Sequence, residues 1–188
     1  MYPESGEFAS LRFTDPGELK RRCDDVQPFC GFWMKWPRGL PTLACEIVDP
    51  SLPLADFVGL EDYPGAFAVR PELWHDDDDI VDATDECNQD VPILLGDERW
   101  VAVNLIYICN CLDTVRSRYQ KFPDGSLIVE RYVLKKGRVT RDPFKIPETA
   151  CCDMFIGTEG DFINGRDFYA VYHRLGLTGL RFEKVETL

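Results

Sequence analysis

Reactive chemistry in this 188-residue chain would have to begin at its two histidines. His75 stands directly before Asp76, Asp77, Asp78 and Asp79, and an imidazole beside carboxylates is a donor set for a divalent cation. Cation loops, however, space their acids so that the chain wraps the ion, and they place a glycine at the bend. Four contiguous aspartates without a glycine do not follow that pattern, so a solvated acidic surface is the preferred reading. His173 falls between Tyr172 and Leu175 in a helical pattern and is expected at the surface or in a local hydrogen bond. The eight cysteines contain no C-x2-C knuckle repeated at a distance, which structural zinc prefers. Cys109 and Cys111 share a face if extended, whereas the adjacent Cys151 and Cys152 do not. Buried thiols acting as small hydrophobes are the expectation.

Other motifs point the same way. Gly157-Thr-Glu-Gly160 lacks the Gly-Lys-Ser/Thr that completes a phosphate loop. Gly176-Leu-Thr-Gly179 follows a helix, the wrong end to cradle a phosphate, and Thr178 reads as a turn hydroxyl. Carboxylate pairs such as Glu61/Asp62 and Asp97/Glu98 are commonplace in so acidic a chain. Asp113 and Ser117 read as capping residues at a turn or helix start. No catalytic residue, metal or cofactor is expected.

Charge is the strongest compositional signal. Glu46 to Glu98 holds sixteen acids opposed by Arg70 alone, a net −15, and because the whole chain carries −12 the remainder is at +3. Such a field repels phosphate and attracts basic protein surfaces, which disfavours a nucleic-acid partner. The basic stretch Arg131, Lys135, Lys136, Arg138, Arg141 and Lys145 is expected to be a solvated face or an internal partner for the acids. No apolar run reaches the ~20 residues of a membrane span. Met1-Tyr-Pro-Glu-Ser-Gly-Glu-Phe8 has neither a basic nor an apolar leader region, so a cytoplasmic location is expected.

The elements that must carry these residues read as α+β: a largely antiparallel sheet with a few packed helices, in one domain. Residues 1–45 are expected to form an irregular Pro- and aromatic-rich cover in which Phe29, Phe32, Trp33 and Trp36 lie on a core edge. Residues 46–98 form the acidic segment, with strands at 44–48, 56–60 and 66–69, a Tyr63-Pro64-Gly65 turn and a short helix opened by Pro71. Asp76–Asp79 belong on a loop or in a first helical turn, because anions near a helix C-terminus oppose its dipole. Ile80, Val81 and Ala83 offer the apolar face beyond them.

Residues 99–188 form the core. Arg99–Asn110 is the strongest strand, interrupted by Asn104, which must find hydrogen-bond partners if buried. Pro123-Asp124-Gly125 is a turn. Residues 127–134 and 138–141 are expected to make a hairpin about Lys136-Gly137, followed by strands at 144–146 and 154–156. Phe168, Val171, Tyr172 and Leu175 form one apolar stripe of a helix at 165–175, with Asn164 as N-cap. Gly176 is placed to end that helix in the left-handed conformation, and residues 180–185 return as a closing strand.

The order of these elements resembles a known family. The run Trp100-Val-Ala-Val-Asn104-Leu-Ile-Tyr-Ile, the Leu112-Asp113 turn with Ser117, and Gly176-Leu-Thr178-Gly179-Leu-Arg-Phe182 after a helix follow the pattern of the immunity-protein-eleven family. Phe144 and Phe155 occupy its intervening strands, and the likeness spans residues 95–186. The family belongs to bacterial polymorphic toxin and contact-dependent effector systems, including those of type VI secretion. The resemblance implies a non-enzymatic protein that binds and neutralises one cognate toxin, with Asn104, Asp113, Ser117, Gly176, Thr178 and Gly179 as its structural positions. The acidic run suggests the contact surface: Trp74 as an aromatic anchor, with Asp76, Asp77, Asp78, Asp79, Asp82, Asp85 and Glu86 around it. Two other readings remain: a small metal-dependent enzyme using His75 and nearby carboxylates, and an acidic regulatory module that binds a basic protein.

Overall fold

The computed structural model describes residues 1–3, 6–17, 42–75, 78–84, 88–123, 127–139, 143–149, 152–157 and 168–188. Its centre is a six-stranded sheet built from β2 (Leu11–Phe13), β3 (Leu43–Ile47), β4 (Phe57–Gly59), β5 (Ala66–Val69), β6 (Asn88–Leu95) and β7 (Glu98–Leu105), after a short β1 (Tyr2–Pro3). The strand order is β2-β3-β6-β7-β5-β4, antiparallel throughout except for the β3/β6 pair. The two edges then meet. Leu11 of β2 forms a parallel bridge with Leu60, just past β4, and the Glu61 amide donates to the Leu11 carbonyl at 2.9 Å. The sheet thus closes on itself as a small barrel, which removes the exposed edges an open sheet would carry.

Alternation along the strands sorts side chains between the interior and the outside. Trp100 and Ala102 of β7, Ala66 and Ala68 of β5, Val58, Leu11, Phe13, Leu43, Val91 and Ile93 fill the interior. Val101, Val103, Phe67, Val69 and Phe57 point the other way, into a second core. The alanines of β5 and β7 face one another, Ala68 opposite Ala102, and leave room for the Trp100 ring. Arg70 lies over that ring, 4.9 Å from its centroid.

Helices cover the outer core. These are α1 (Pro71–His75), α2 (Asp78–Thr84) and α3 (Phe168–Arg174), the three α-helices among the described residues. Pro71 opens α1 as its sequence position requires, and Asp78 and Asp79 occupy the first turn of α2, where the helix dipole favours them. Ile80 and Ala83 are buried as expected, but Val81 turns outward. On α3, Phe168 and Tyr172 are buried and Val171 and Leu175 partly so, which is the predicted stripe. Of the expected span 165–175, residues 165–167 and the proposed cap Asn164 lie outside the described residues. The helix ends in a Schellman motif: the Leu177 amide donates to the Tyr172 carbonyl and the Gly176 amide to that of His173, with Gly176 at φ +66°.

A third core lies beside the barrel. It contains Cys109, Cys111, Leu112, Leu134, Phe144, Ile146 and Phe155. Here β8 (Arg118–Lys121) pairs with β9 (Leu127–Arg131), β10 (Val133–Leu134) runs parallel to β14 (Glu186–Thr187), and β11 (Phe144–Lys145) pairs with β12 (Met154–Phe155). The expected closing strand is thus two pieces: β13 (Leu180–Arg181), paired with β1, and β14.

Several expectations fail for identifiable reasons. The first 45 residues are not wholly irregular, since β2 is a seam strand and β3 begins at Leu43. Phe29, Phe32, Trp33 and Trp36 lie outside the described residues. Strand β6 was not anticipated because Pro92 sits inside it; Pro92 precedes the stretch paired with β3, which starts at Leu43 opposite Ile93. Strand β7 stops at Leu105, because Tyr107 and Cys109 leave it to bond Lys145. Lys136–Arg138 is a 3-10 turn and β9 pairs back to β8, while residues 140–141 of the expected second arm lie outside the described residues.

The C-terminal turn seats against β4 at very short range. Thr178 donates its amide and its hydroxyl to the Asp56 carboxylate at 2.9 and 2.7 Å, and the Phe57 amide donates to the Thr178 carbonyl at 3.0 Å. Gly179 adopts φ +98°, and a β-carbon there would lie 1.9 Å from the Phe57 carbonyl oxygen. Gly176 is also left-handed but has open space around it. Gly179→Ala is therefore expected to cost about 2–4 kcal/mol and Gly176→Ala about 1 kcal/mol. Urea unfolding of both variants checks this, and equal costs would contradict the close seating.

Candidate functional site

The acidic residues do not form one surface. Many of the sixteen have local tasks. Asp62 accepts the Phe13 amide at 2.9 Å and Glu61 accepts the Ser10 hydroxyl at 2.7 Å, so both pin the barrel seam. Asp56 holds the C-terminal turn. Glu46 pairs with Arg12 at 2.6 Å across β2 and β3. Asp49 accepts the amide and hydroxyl of Ser51, and those bonds hold its carboxyl below the usual range. Asp90 stands 3.5 Å from His75.

Of the carboxylates that remain outward, Asp97 and Glu98 lie at the β6–β7 turn and others lie on the helices. Glu72 of α1 and Asp78, Asp79 and Asp82 of α2 are exposed. Asp79 bonds Arg174, which ties α2 to α3. Beside them runs an aromatic ladder. The Tyr169 ring stands 4.3 Å from His173 and 5.1 Å from Phe182, and Phe182 packs 5.0 Å from Tyr172. Tyr169 and Val81 are among the few large apolar side chains that remain exposed. The helical face therefore combines carboxylates with half-exposed aromatic and aliphatic groups, the composition of a protein-binding surface. Asp76, Asp77, Asp85 and Glu86 lie outside the described residues.

One expected anchor is not on this face. Trp74 is only 5% exposed, with its ring edge-on to Phe67 at 5.9 Å. Its side chain completes the outer core, because α1 is five residues long and has little else to bury. Tyr169 and Phe182 were not foreseen at the surface; their spacing on and after the α3 stripe was the available signal.

The six structural positions fall in three places. Asp113 Oδ1 accepts the Val115 and Arg116 amides at 3.0 and 3.1 Å, and Ser117 exchanges hydrogen bonds with the Val133 backbone. Both act as capping residues of one turn. Gly176, Thr178 and Gly179 form the C-terminal clasp described above. Asn104 is buried at the end of β7 and accepts a bond from Lys145 Nζ at 2.8 Å. Lys145, expected on a solvated face or as an internal partner for the acids, is 1% exposed and bonds the neutral Asn104. Its amide donates to Tyr107 and its carbonyl accepts from Cys109, so one residue ties the chain leaving β7 to the third core.

The buried thiols among the described residues are held in their neutral form. Burial pushes the Cys45 thiol up to about 12 and raises Cys109 and Cys111 as well, which keeps these thiols protonated. Burial and a 2.5 Å bond to Asp153 raise the Tyr132 phenol. Among the described residues no three His, Cys, Asp or Glu side chains gather where they could hold one metal ion, and His75 faces Asp90. Among the described residues no helix is long and apolar enough to cross a membrane. In comparisons with models of known protein families and with curated proteins, nothing matches the chain.

Two predictions follow from this geometry. Replacing Asn104 with Leu removes an acceptor from a buried ammonium, whereas Lys145→Met removes the charge itself. The first is expected to cost about 3 kcal/mol and clearly more than the second; chemical denaturation of the two variants would contradict this if the order were reversed. For Asp113, burial would raise the carboxyl, but the Val115 and Arg116 amides and Lys135 together hold it below its ordinary value. A depressed folded-state value gives stability that is present above the unfolded value and lost as pH falls through the folded one. The gap in Tm between wild type and Asp113→Ala should therefore be constant near neutral pH and shrink in acid below about pH 4. A gap that widened in acid would exclude this account of the cap.

Proposed function

We propose that the protein is an immunity protein: it binds a cognate bacterial toxin or effector domain in the cytosol and neutralises it, without catalysing a reaction. The observation that carries this reading is the face of α1, α2 and α3. Glu72, Asp78 and Asp82 are exposed on α1 and α2, and Val81 and Tyr169 are exposed on α2 and α3, the two helices that Asp79 and Arg174 tie together. Such carboxylates steer a basic partner, and the apolar groups supply contact once water is expelled. The order of elements over residues 95–186, with its likeness to the immunity-protein-eleven family, supports the same reading. The partner it implies is a toxin domain with a basic surface, of which a nuclease is the simplest case. An antidote kept in the cytosol opposes a toxin acting there.

Growth rescue tests the proposal. Co-expression with the toxin-like product of the neighbouring gene should restore growth, and Asp78→Lys/Asp82→Lys should reduce rescue at least about tenfold in surviving cells. Full rescue by that double variant would remove the helical face from the interface. Stoichiometric metal in the purified protein, lost on His75→Ala, would favour the metal-enzyme reading instead.

A further inference from the structure

Among the described residues Lys145 is the one buried lysine and Asn104 the one buried side-chain amide, and the two are in contact. Lys145 Nζ donates to Asn104 Oδ1 at 2.8 Å, and the side chains are 1% and 3% exposed. Both are anchored. Asn104 lies on the interior strand β7, opposite Ala66 of β5 on one side and Gln89 of β6 on the other. Lys145 stands opposite Met154 in the β11/β12 pair, its amide donates to the Tyr107 carbonyl, and its own carbonyl accepts from Cys109. Their chain neighbours Val103, Leu105, Phe144 and Ile146 are buried as well, so the pair sits away from bulk water.

The contact is also close to a reactive arrangement. With a carbonyl bond of about 1.2 Å and an ordinary hydrogen-bond angle, Nζ stands about 3.6 Å from the amide carbon Cγ, near the ~3–3.5 Å at which reacting atoms are poised. Two groups fixed at that range need no encounter, and the exclusion of water suppresses hydrolysis as a competing reaction. Burial also favours the neutral form of an amine, which is the form that attacks. We propose that Lys145 and Asn104 join in an isopeptide bond within the chain. A bond forms between Nζ and Cγ, and the bond between Cγ and Nδ2 breaks, while Oδ1 remains the carbonyl oxygen. Starting from the ammonium, Nζ loses two protons, and both depart with Nδ2 as an ammonium ion. Atoms and charge balance, and no oxidant, metal or cofactor enters. The product ties β7 of the barrel to β11 across 41 residues of chain. Like a disulfide, it restricts the unfolded chain. This self-modification goes beyond the toxin reading and does not rest on it.

Intact-mass measurement of the purified full chain, fresh and after prolonged incubation, tests the proposal. Wild type should weigh about 17 Da less than its sequence, the mass of one ammonia. Tryptic digestion should then release a branched peptide in which residues 100–116 and 142–166 are joined, because a modified Lys145 is no longer cleaved. That peptide separates the bond from other losses of ammonia, such as cyclisation at Asn164-Gly165. Lys145→Arg keeps a charged donor without a primary amine, and it should show the full sequence mass and an unbranched 100–116 peptide. Wild type that keeps its full sequence mass at both times and releases residues 100–116 and 142–145 separately would overturn the proposal. A loss of about 17 Da that persists in Lys145→Arg would do the same. The wild-type digest is decisive even if the variant does not fold. Its readout involves no toxin, so failure here leaves the toxin reading untouched.

Discussion

Closure of the sheet is the constraint on which the remaining structure depends. A six-stranded sheet of short strands would leave β2 and β4 as open edges, and β2 is only three residues long. The Leu11–Leu60 bridge joins them, and Glu61 and Asp62 bind the residues on either side of Leu11. Once closed, the barrel has an interior that Trp100 and small alanines can fill, and an outer wall on which the helices rest. Phe57, next to the clasp of Asp56 on Thr178, then receives the two buried rings of α3, Phe168 at 5.9 Å and Tyr172 at 5.7 Å. The helical face is where it is because β4 is held at the seam.

The acidic segment therefore has two duties that conflict by composition. It must supply five of the six barrel strands, wholly or in part, and it carries a net −15 in a chain whose total is −12. The conflict is resolved by position. Carboxylates at strand ends and turns accept amides and hydroxyls that would otherwise be orphaned, and such bonds are worth more than exposed ion pairs. Others stay outward on α1 and α2 and at the β6–β7 turn, where solvent screens them from the core. What reads in the sequence as a uniform field is, in the folded chain, a set of structural acceptors and of outward groups, several of them on the helices.

Residues whose structure follows from local chemistry were legible. Pro71 at a helix start, the Tyr63-Pro64-Gly65 turn, the α3 stripe and its Gly176 cap are each decided within a few residues, and the α+β class followed from them. Residues whose state depends on a distant partner were not. Trp74 looked like a surface anchor because acids surround it in sequence, but the short α1 buries it against Phe67. Lys145 belonged to a basic run, yet Asn104 of another strand draws it inside. Closure of the barrel could not be read at all, because β2 lies in a Pro-rich region with three residues to mark it. The candidate face was half legible: its charge came from the sequence, whereas Tyr169 and Val81 emerge only when the two helices pack.

The central claim is that an outward acidic helical face holds another protein. The most direct measurement is the association rate of the purified chain with its candidate toxin domain as a function of salt. A charge-steered contact predicts a rate that falls at least about tenfold from low to high ionic strength, with a complex that still forms at the end. A rate indifferent to salt, or a chain that turns over a small substrate without any partner, would contradict it.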